Sequence, residues 1–579
     1  MSDALSLAEA TAQLTAPGQV FETVGADVGG VAMTVWKHAP VSLRHVFDLS
    51  LNHAERDFVV YEDQRLTFDA HYRLASTLAH RLREHGVASG DRVVIAARNL
   101  PQWVVTFWAT ICAGAIVVPL NAWWTSDELR YGVVDSGATV LVVDEERLER
   151  LRPSLDELEF VSLVLVIPDQ SGRAANTGDP HPRVRIEDFA SFVGDAAGDA
   201  TPPAADLQPD DDAAIFYTSG TTGHPKGAVA THRNITTNLM SLFFIGSRAS
   251  LRFGASEDGP SSFLLSIPLF HATGCLAVMV VNTAAGGKLV LMHHFDAARA
   301  LELIATEQIT NIGGVPSVAM QIVDHPSLAD YDTSSVRSVS YGGAPAPPDL
   351  VRRIRAVFPR AQPGNGYGLT ETSAAVALNT GADYVERPES CGTPVPVCEV
   401  AIVPEEFAGD EPPAGADPDA VGELWIKGPN VVRGYWHKPE ATAASFSRGW
   451  LRTGDIARRD ADGFLHIVDR VKDMIIRGGE NVSSVAVESA IFEHPDVEDC
   501  AVVGLPHPVL GEEVCAVIVL RSGRPIEAEE ITRHVAARLA RYEVPTRVFF
   551  RATPLPRNPQ GKVLKRELRA GLTEGLAPA

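Results

Sequence analysis

Chemistry in this chain is concentrated first in the eleven residues Tyr217 to Gly227, YTSGTTGHPKG. Gly220, Gly223 and Gly227 are spaced among the hydroxyl residues Thr218, Ser219, Thr221 and Thr222, and the stretch ends on Pro225-Lys226. A loop with so little side-chain bulk can turn its backbone N–H groups inward around an anion, and the hydroxyls and Lys226 add donors and positive charge. The spacing matches neither the Walker pattern nor GxGxxG. The apolar run Ala213 to Tyr217 ahead of it predicts a buried strand that delivers the loop to a sheet edge.

The elements that must hold such a loop can be sketched along the chain. Its 579 residues exceed a single core, so at least two domains are expected. An amphipathic helix through Leu74–Arg83, a strand at Asp91–Ala96 and an apolar helix from Trp103 predict strand–helix alternation, hence a parallel doubly wound sheet. Further strands are expected at Ala138–Val143, Val161–Ile167 and Phe263–Pro268, with a long surface connection over 169–212. Small residues follow short β-prone runs at Asn311–Pro316, Ser338–Pro345 and Asn365–Glu371, the position at which open α/β sheets bind ligands. From Gly392 the pattern turns to short β segments, Glu399–Val403, Gly422–Lys427 and Leu465–Val468, which predict a small β-barrel or distorted sheet; the acidic loop 405–419 between them reads as solvated. After Arg470 an alternating β and α region suits a small separate domain.

Bulk properties exclude several classes of function. Fifty basic against 73 acidic residues leave a net charge of −23, which opposes nucleic acid and anionic membranes as partners. The six cysteines have no CxxC spacing, so neither a zinc site nor a disulfide framework is expected, and a reducing cytoplasm fits. The N-terminus lacks a basic n-region and a long apolar core, and the apolar run Trp103–Val118, broken by Gly114, is short for a transmembrane segment.

The motifs YTSGTTGHPKG, PLFHATG, YGGAP, NGYGLTE, WLRTGD, VDRVKDMIIRGGEN and PRNPQGKVLKREL occur in this order, and over about Leu43–Leu568 the chain resembles the adenylate-forming superfamily, above all its fatty-acid–CoA ligase-like acyl-CoA synthetases. The resemblance implies an α/β fold: a large N-terminal domain of doubly wound sheets with a small β-barrel subdomain, and a small mobile α+β C-terminal domain. The boundaries expected are a variable extension over 1–40, an AMP-binding domain over 41–470 with its β-rich part at about 392–470, and a C-terminal domain over 471–579.

It implies ATP and CoA as co-substrates and Mg²⁺ as cofactor. Adenylation joins a carboxylate to the α-phosphate of ATP and expels pyrophosphate, which demands phosphate cradling and positive charge on the transition state. By resemblance Thr218, Ser219, Gly220, Thr221, Thr222, Gly223 and Lys226 hold phosphate; Thr218 and Glu371 hold the metal; and Thr370 bonds the α-phosphate. Tyr367 offers a flat face to adenine, Gly342, Gly343 and Ala344 keep backbone close to it, and Asn365, Gly366 and Gly368 complete that wall. Asp455 and Arg470 suit the ribose and phosphate, and Lys562 resembles the adenylation lysine. Lys472 falls at the hinge; Gly478, Gly479 and Glu480 match the segment lining the CoA arm's path; and His271 matches an aromatic gate beside the reacting carboxylate. One departure stands out: after Glu480-Asn481 the usual Ile/Val-Tyr-Pro is replaced by Val482-Ser483-Ser484.

The acyl pocket expected from relatives, His271, Thr273, Gly274, Gly314, Val315, Tyr341 and Gly342, contains no Arg, Lys or Asp, so an apolar acid, a medium- or long-chain fatty acid foremost, fits best. The alternatives are an acyl-AMP ligase that loads a carrier protein and a ligase for aryl or sterol-side-chain acids. A homodimer is the candidate assembly.

Overall fold

The computed structural model describes residues 5–169, 173–194, 201–218, 224–254, 259–343, 349–404, 407–413, 420–478, 480–521, 526–558 and 562–574. Ser219, Gly220, Thr221, Thr222 and Gly223 of the phosphate loop, Ala344 and Gly479 lie outside them.

Two large sheets share a core. The first has seven strands in the order Lys226–Thr231, Asp212–Thr218, Ile116–Pro119, Arg92–Ala96, Val140–Asp144, Leu163–Ile167, Arg185–Asp188, parallel except for the antiparallel pair that flanks the phosphate loop. The second has eight, Ala377–Thr380, Gln362–Tyr367, Ser338–Gly342, Asn311–Gly314, Ser262–Leu265, Lys288–Leu291, Asp57–Tyr61, Gln64–Thr67, with antiparallel pairs only at its edges. The apolar helix Pro101–Cys112 lies in this shared core, with Pro101 at its first turn and every residue but Gln102 buried. A helix apolar on all sides must be enclosed, and burying each of Trp103, Phe107, Trp108 and Ile111 contributes roughly 1.5–3 kcal/mol. Gly114, at φ +76°, ends it and turns the chain into Ile116–Pro119. Among the described residues no helix is long and apolar enough to cross a membrane, and all six cysteines are buried and unbridged.

One expectation needs correction. The stretch 169–212 is not only a connection: Arg185–Asp188 extends the first sheet and helix Phe189–Val193 buries Phe189, Phe192 and Val193. Both elements are too short to show a period in sequence. The N-terminal extension packs on the large domain: Phe21 and Trp36 meet Phe244 at ring-centroid distances of 5.7 and 5.4 Å, and the Trp36 indole N–H donates to Ser241 Oγ at 3.1 Å. The β-rich region is a five-stranded antiparallel sheet with register shifts at Glu423/Trp425 and Ile456/Ala457, the distorted sheet of the two forms expected.

Beyond Arg470 a separate sheet in the order Glu480–Val482, Ile475–Arg477, Gly511–Leu520, Val497–His507, with Arg547–Arg551 beside Gly511–Leu520, packs on helices Ser484–Phe492 and Ala528–Ala536 around its own apolar cluster. Its last helix, Lys565–Glu574, lies against Val497–His507 and follows directly on the lysine loop.

Candidate active site

A cavity of about 750 Å³ opens between the large sheets, the β-rich sheet and the C-terminal domain. Its phosphate side starts from the feet of the loop. Thr218 pairs with Lys226 across the hairpin, the Thr218 hydroxyl reaching the Lys226 carbonyl at 3.4 Å. Tyr217 donates to Asp135 at 2.8 Å, Lys438 pairs with the same carboxylate at 2.7 Å, and Tyr131 donates to the Pro225 carbonyl at 3.2 Å while stacking on His224. These ties fix both ends of the loop from outside the cavity.

Thr370 and Glu371 line the opposite wall on a single 3₁₀ turn, Thr370–Thr372. A Cβ on Gly368 would stand 1.5 Å from the Ala374 carbonyl, so the chain doubles back on itself here, and only glycine fits. Ala374 itself sits at φ +98°, a strained position of order 1–3 kcal/mol, and Asn238, accepting from Ala375 N–H at 3.0 Å, helps to hold it. Tyr435 donates its hydroxyl to Glu371 Oε1 at 2.8 Å, and the Lys226 ammonium lies 5.0 Å from the centre of the same ring. Backbone contacts set Tyr435 in place: it bridges Ala228, and Trp436 N–H donates to the Gly227 carbonyl at 2.7 Å. Glu371 Oε2 has no hydrogen bond from the protein among the described residues, so with Thr218 an oxygen donor set faces the cavity that suits a hard divalent cation such as Mg²⁺.

Arg470 lines the cavity and pairs with Asp455 at 3.0 Å, and Tyr367 donates to the other Asp455 oxygen at 2.7 Å. Asp455, Tyr367, Asn365 and Gly366 do not line the cavity in this arrangement. Asn365 and Gly366 lie within strand Gln362–Tyr367, rather than past its end, with neighbours on both sides, and burial plus the Asp455 charge push the Tyr367 phenol well up.

Lys562 enters from the C-terminal domain. Its N–H donates to Asn558 Oδ1 at 2.9 Å and its carbonyl accepts from Asn558 N–H at 2.8 Å, a two-way clamp that presents the side chain. Partly buried in the cavity, its ammonium is brought down to about 8 by desolvation first and then by Arg470, against the pull of Asp455 and Glu371. Gly343, at φ +75°, faces it: a Cβ there would lie 3.7 Å from the Lys562 ε-carbon. Lys472 also reaches the cavity, from a turn in which Asp473 and Met474 N–H donate to the Arg470 carbonyl.

On the acid side His271, Thr273, Gly314, Val315 and Gly342 line the cavity. His271 precedes a π-helical stretch, Thr273–Met279, of the kind found at functional sites. The residue is partly buried, and burial, then Lys562, push its imidazole to about 3, so it stays neutral. Two residues expected in this pocket are elsewhere. A Cβ on Gly274 would meet the Pro268 carbonyl at 2.4 Å, so that glycine serves close packing, and Tyr341 points into the core, its hydroxyl 2.9 Å from that of Tyr384. Gly478 and Glu480 belong to the hairpin Ile475–Arg477/Glu480–Val482, with Gly478 N–H donating to Leu510, and neither reaches the cavity. Tyr435, Glu423, Phe270, Trp123, Arg98 and His293 do line it. Phe270 sits in the PLFHATG motif beside His271, but the others are single residues in separate segments, which only the fold brings together.

The AMP-binding enzyme family model matches residues 48–436, and that of the AMP-binding enzyme C-terminal domain matches residues 486–562. The chain belongs to the AMP-binding enzyme family. It is thus an AMP-forming ligase of the adenylate-forming superfamily, in its acyl-CoA ligase branch. This AMP-binding enzyme is similar to a feruloyl-CoA synthase of Amycolatopsis sp. (36% identity; 87% of this chain, 93% of the other) and to a long-chain-fatty-acid–CoA ligase of Bacillus subtilis (33%; 91% and 94%). Among solved structures it is similar to the o-succinylbenzoate CoA synthetase of Bacillus subtilis in complex with its acyl-adenylate OSB-AMP (TM-score 0.73, 28% identity, 92% of this chain and 98% of that one).

Proposed function

We propose that this AMP-binding enzyme activates a carboxylic acid with an apolar body to its acyl-adenylate and then transfers the acyl group to CoA. The observation that carries this reading is the Lys562 side chain inserted into the cavity that Lys226, Glu371 and Arg470 share with His271. A carboxylate oxygen laid beside His271 attacks the α-phosphorus of ATP and pyrophosphate leaves; the Lys562 ammonium balances the charge gathering on the α-phosphate and carboxylate. Lys226 and the phosphate loop take the departing phosphates, and Asp455 with Arg470 lies nearest to where the ribose would run. Mg²⁺ held by Thr218 and Glu371 would neutralise phosphate charge. In the second step the CoA sulfur attacks the acyl carbonyl and AMP leaves. Gly478, Gly479 and Glu480 are proposed to line the CoA arm after the C-terminal domain, residues 471–579, turns about Lys472.

The apolar lining, Val315, Val318, Ile267 and Phe270, suits an alkyl acid. A second reading, an aryl acid, is favoured by the ring wall of Phe270 and Trp123, whose centroids lie 5.2 Å apart, and by the likeness to the feruloyl-CoA synthase. Pyrophosphate release with ATP, Mg²⁺ and CoA, scanned over alkanoic acids of rising length and over benzoate and cinnamate types, tests it. CoA-dependent turnover within one series is expected. Acyl-AMP that accumulates regardless of CoA would refute transfer to CoA.

A further inference from the structure

The acid side of the cavity ends on a cation for which the sequence motifs offered no hint. Arg98 follows strand Arg92–Ala96, and its neighbour Asn99 fastens that strand end to the segment before His271: Asn99 Nδ2 donates to the Leu265 and Ile267 carbonyls at 3.3 and 3.0 Å, and its Oδ1 accepts from Leu269 N–H at 2.8 Å. The Arg98 guanidinium lies 4.0 Å from the centre of the Trp123 ring, Trp123 meets Phe270 edge-on at 5.2 Å, and Phe270 meets His271 at 4.5 Å. A row of rings thus runs from the gate histidine to the arginine along one cavity wall.

Arg98 has no ion-pair partner among the described residues. Its Nε is buried without a hydrogen-bond partner, and among the described residues no carboxylate lies within ion-pair distance. The nearby carboxylates are committed: Asp144 to Arg147 at 2.9 Å, and Glu146 to Arg147 at 2.8 Å and to Arg150. Asp144 gives Arg98 only an acceptor for its backbone N–H, at 3.2 Å. His293 and His294 line the same stretch and add no negative charge. Burial, then Arg147, press the guanidinium below its ordinary range against the weaker pull of Glu146 and Asp144, so part of the desolvation cost is left unmet here. Stacking on Trp123 recovers part of it but leaves the in-plane N–H donors unused.

We infer that Arg98 receives an anionic oxygen group at the far end of the acid, so that the substrate class is an acid with an apolar body bearing a second carboxylate. This rests on the proposed function, in which the reacting carboxylate lies beside His271. A planar guanidinium fixed on a ring can bind a carboxylate with two parallel N–H···O bonds. The acid's body would then run along Phe270 and Trp123. This departs from the sequence expectation of a pocket without Arg.

ATP–pyrophosphate exchange without CoA tests this on matched acids: octanoate against octanedioate, and cinnamate against 4-carboxycinnamate. Wild-type enzyme is expected to favour the two-ended acid of at least one pair by tenfold or more in kcat/KM. Arg98→Met should lower the ratio of kcat/KM for the two-ended to the one-ended acid at least tenfold, and Arg98→Lys should restore part of that ratio. Equal or reversed preference in wild type would overturn the inference without touching the ligase reading. So would an Arg98→Met variant that keeps its acid preference but raises the KM for CoA in the full reaction, which would give the guanidinium to the phosphates of CoA. No exchange with any acid in either series, or in the chain-length and aryl scan, would instead overturn the ligase reading.

Discussion

The pH dependence of the adenylation half-reaction follows from the surroundings of Lys562. Desolvation and the cations Arg470 and Lys472 outweigh Asp455 and Glu371 and bring the ammonium from an ordinary 10.5 to about 8, a bias against the charged form of roughly 3 kcal/mol. The charged form is the useful one, because it faces the carboxylate and α-phosphate oxygens. Below about pH 8 the free enzyme holds Lys562 charged; above it, charge is lost and kcat/KM for ATP should fall about tenfold per pH unit. Once ATP is bound its phosphates favour the charged form again, so the alkaline limb of kcat should lie at higher pH than that of kcat/KM. His271, held neutral throughout, adds no step in this window. The linkage has a matching sign: the penalty for inserting a charged lysine is full below about 8 and fades as pH rises toward 10.5, so without nucleotide the inserted arrangement gains with rising pH. The assay is CoA-free pyrophosphate exchange from pH 6.5 to pH 10.5. Lys472→Met, which removes one neighbouring cation, should move the alkaline limb upward. A flat kcat/KM through pH 9.5 would refute the electrostatic account.

Three further outcomes are expected. Tyr435→Phe removes a hydrogen bond to the charged Glu371, worth about 1.5 kcal/mol, and should slow pyrophosphate exchange about tenfold; added to Glu371→Gln it should cost little more, since both break one contact. Gly368→Ala places a methyl on the Ala374 carbonyl and should destabilise the protein by more than about 2 kcal/mol in denaturant unfolding. Ser484→Ala takes from the buried Asp469 a hydroxyl donor at 2.8 Å and from Lys565 an acceptor at 2.7 Å; limited proteolysis in the 470–474 turn should accelerate, and unchanged cleavage would show that Ser484 does not restrain the hinge.

What could be read from the chain before its fold was uneven, for physical reasons. Short β-prone segments set off by turns were legible: Glu399–Val403 and Gly422–Lys427 lie where the pattern put them, and the apolar run from Trp103 is a helix followed by a strand. Residues proposed to act through local chemistry, Thr218, Lys226, Thr370, Glu371 and Lys562, reach one cavity, and each lies close to a Gly or Pro in sequence. Residues that act through long-range packing were not legible. Tyr341 sits in a motif of the site yet faces Tyr384, because strand alternation turns it to the opposite face of the sheet. Arg98 lies in an unremarkable AARNLP stretch, and its meaning depends on Trp123 and Phe270, residues that sequence distance hides.

The departure at Ser483-Ser484 gains a structural reason. Ser484 donates both its backbone N–H and its hydroxyl to Asp469, Lys565 joins Ser484 to Glu488, and Ser483 Oγ donates to the Val468 carbonyl at 2.8 Å. Val468 and Asp469 lie just before the 470–474 turn and Ser483, Ser484, Glu488 and Lys565 after it, so the cluster spans the proposed hinge. A proline at position 484 has no N–H and no hydroxyl, and the contact with Asp469 could not form. Lys565 stands three residues from Lys562, so the same cluster that ties the domains holds the lysine loop in the cavity. On the proposed alternation, this contact must break before Gly478 and Glu480 can approach the acyl-adenylate, since they lie on the same C-terminal unit and outside the cavity while Lys562 is inside it. Breaking a buried, fully hydrogen-bonded carboxylate contact is costly, so this chain should pass from adenylation to thiolation more slowly than its own Ser484→Ala variant. Single-turnover transfer from preformed acyl-AMP to CoA measures that step; a variant no faster than wild type would place the barrier elsewhere.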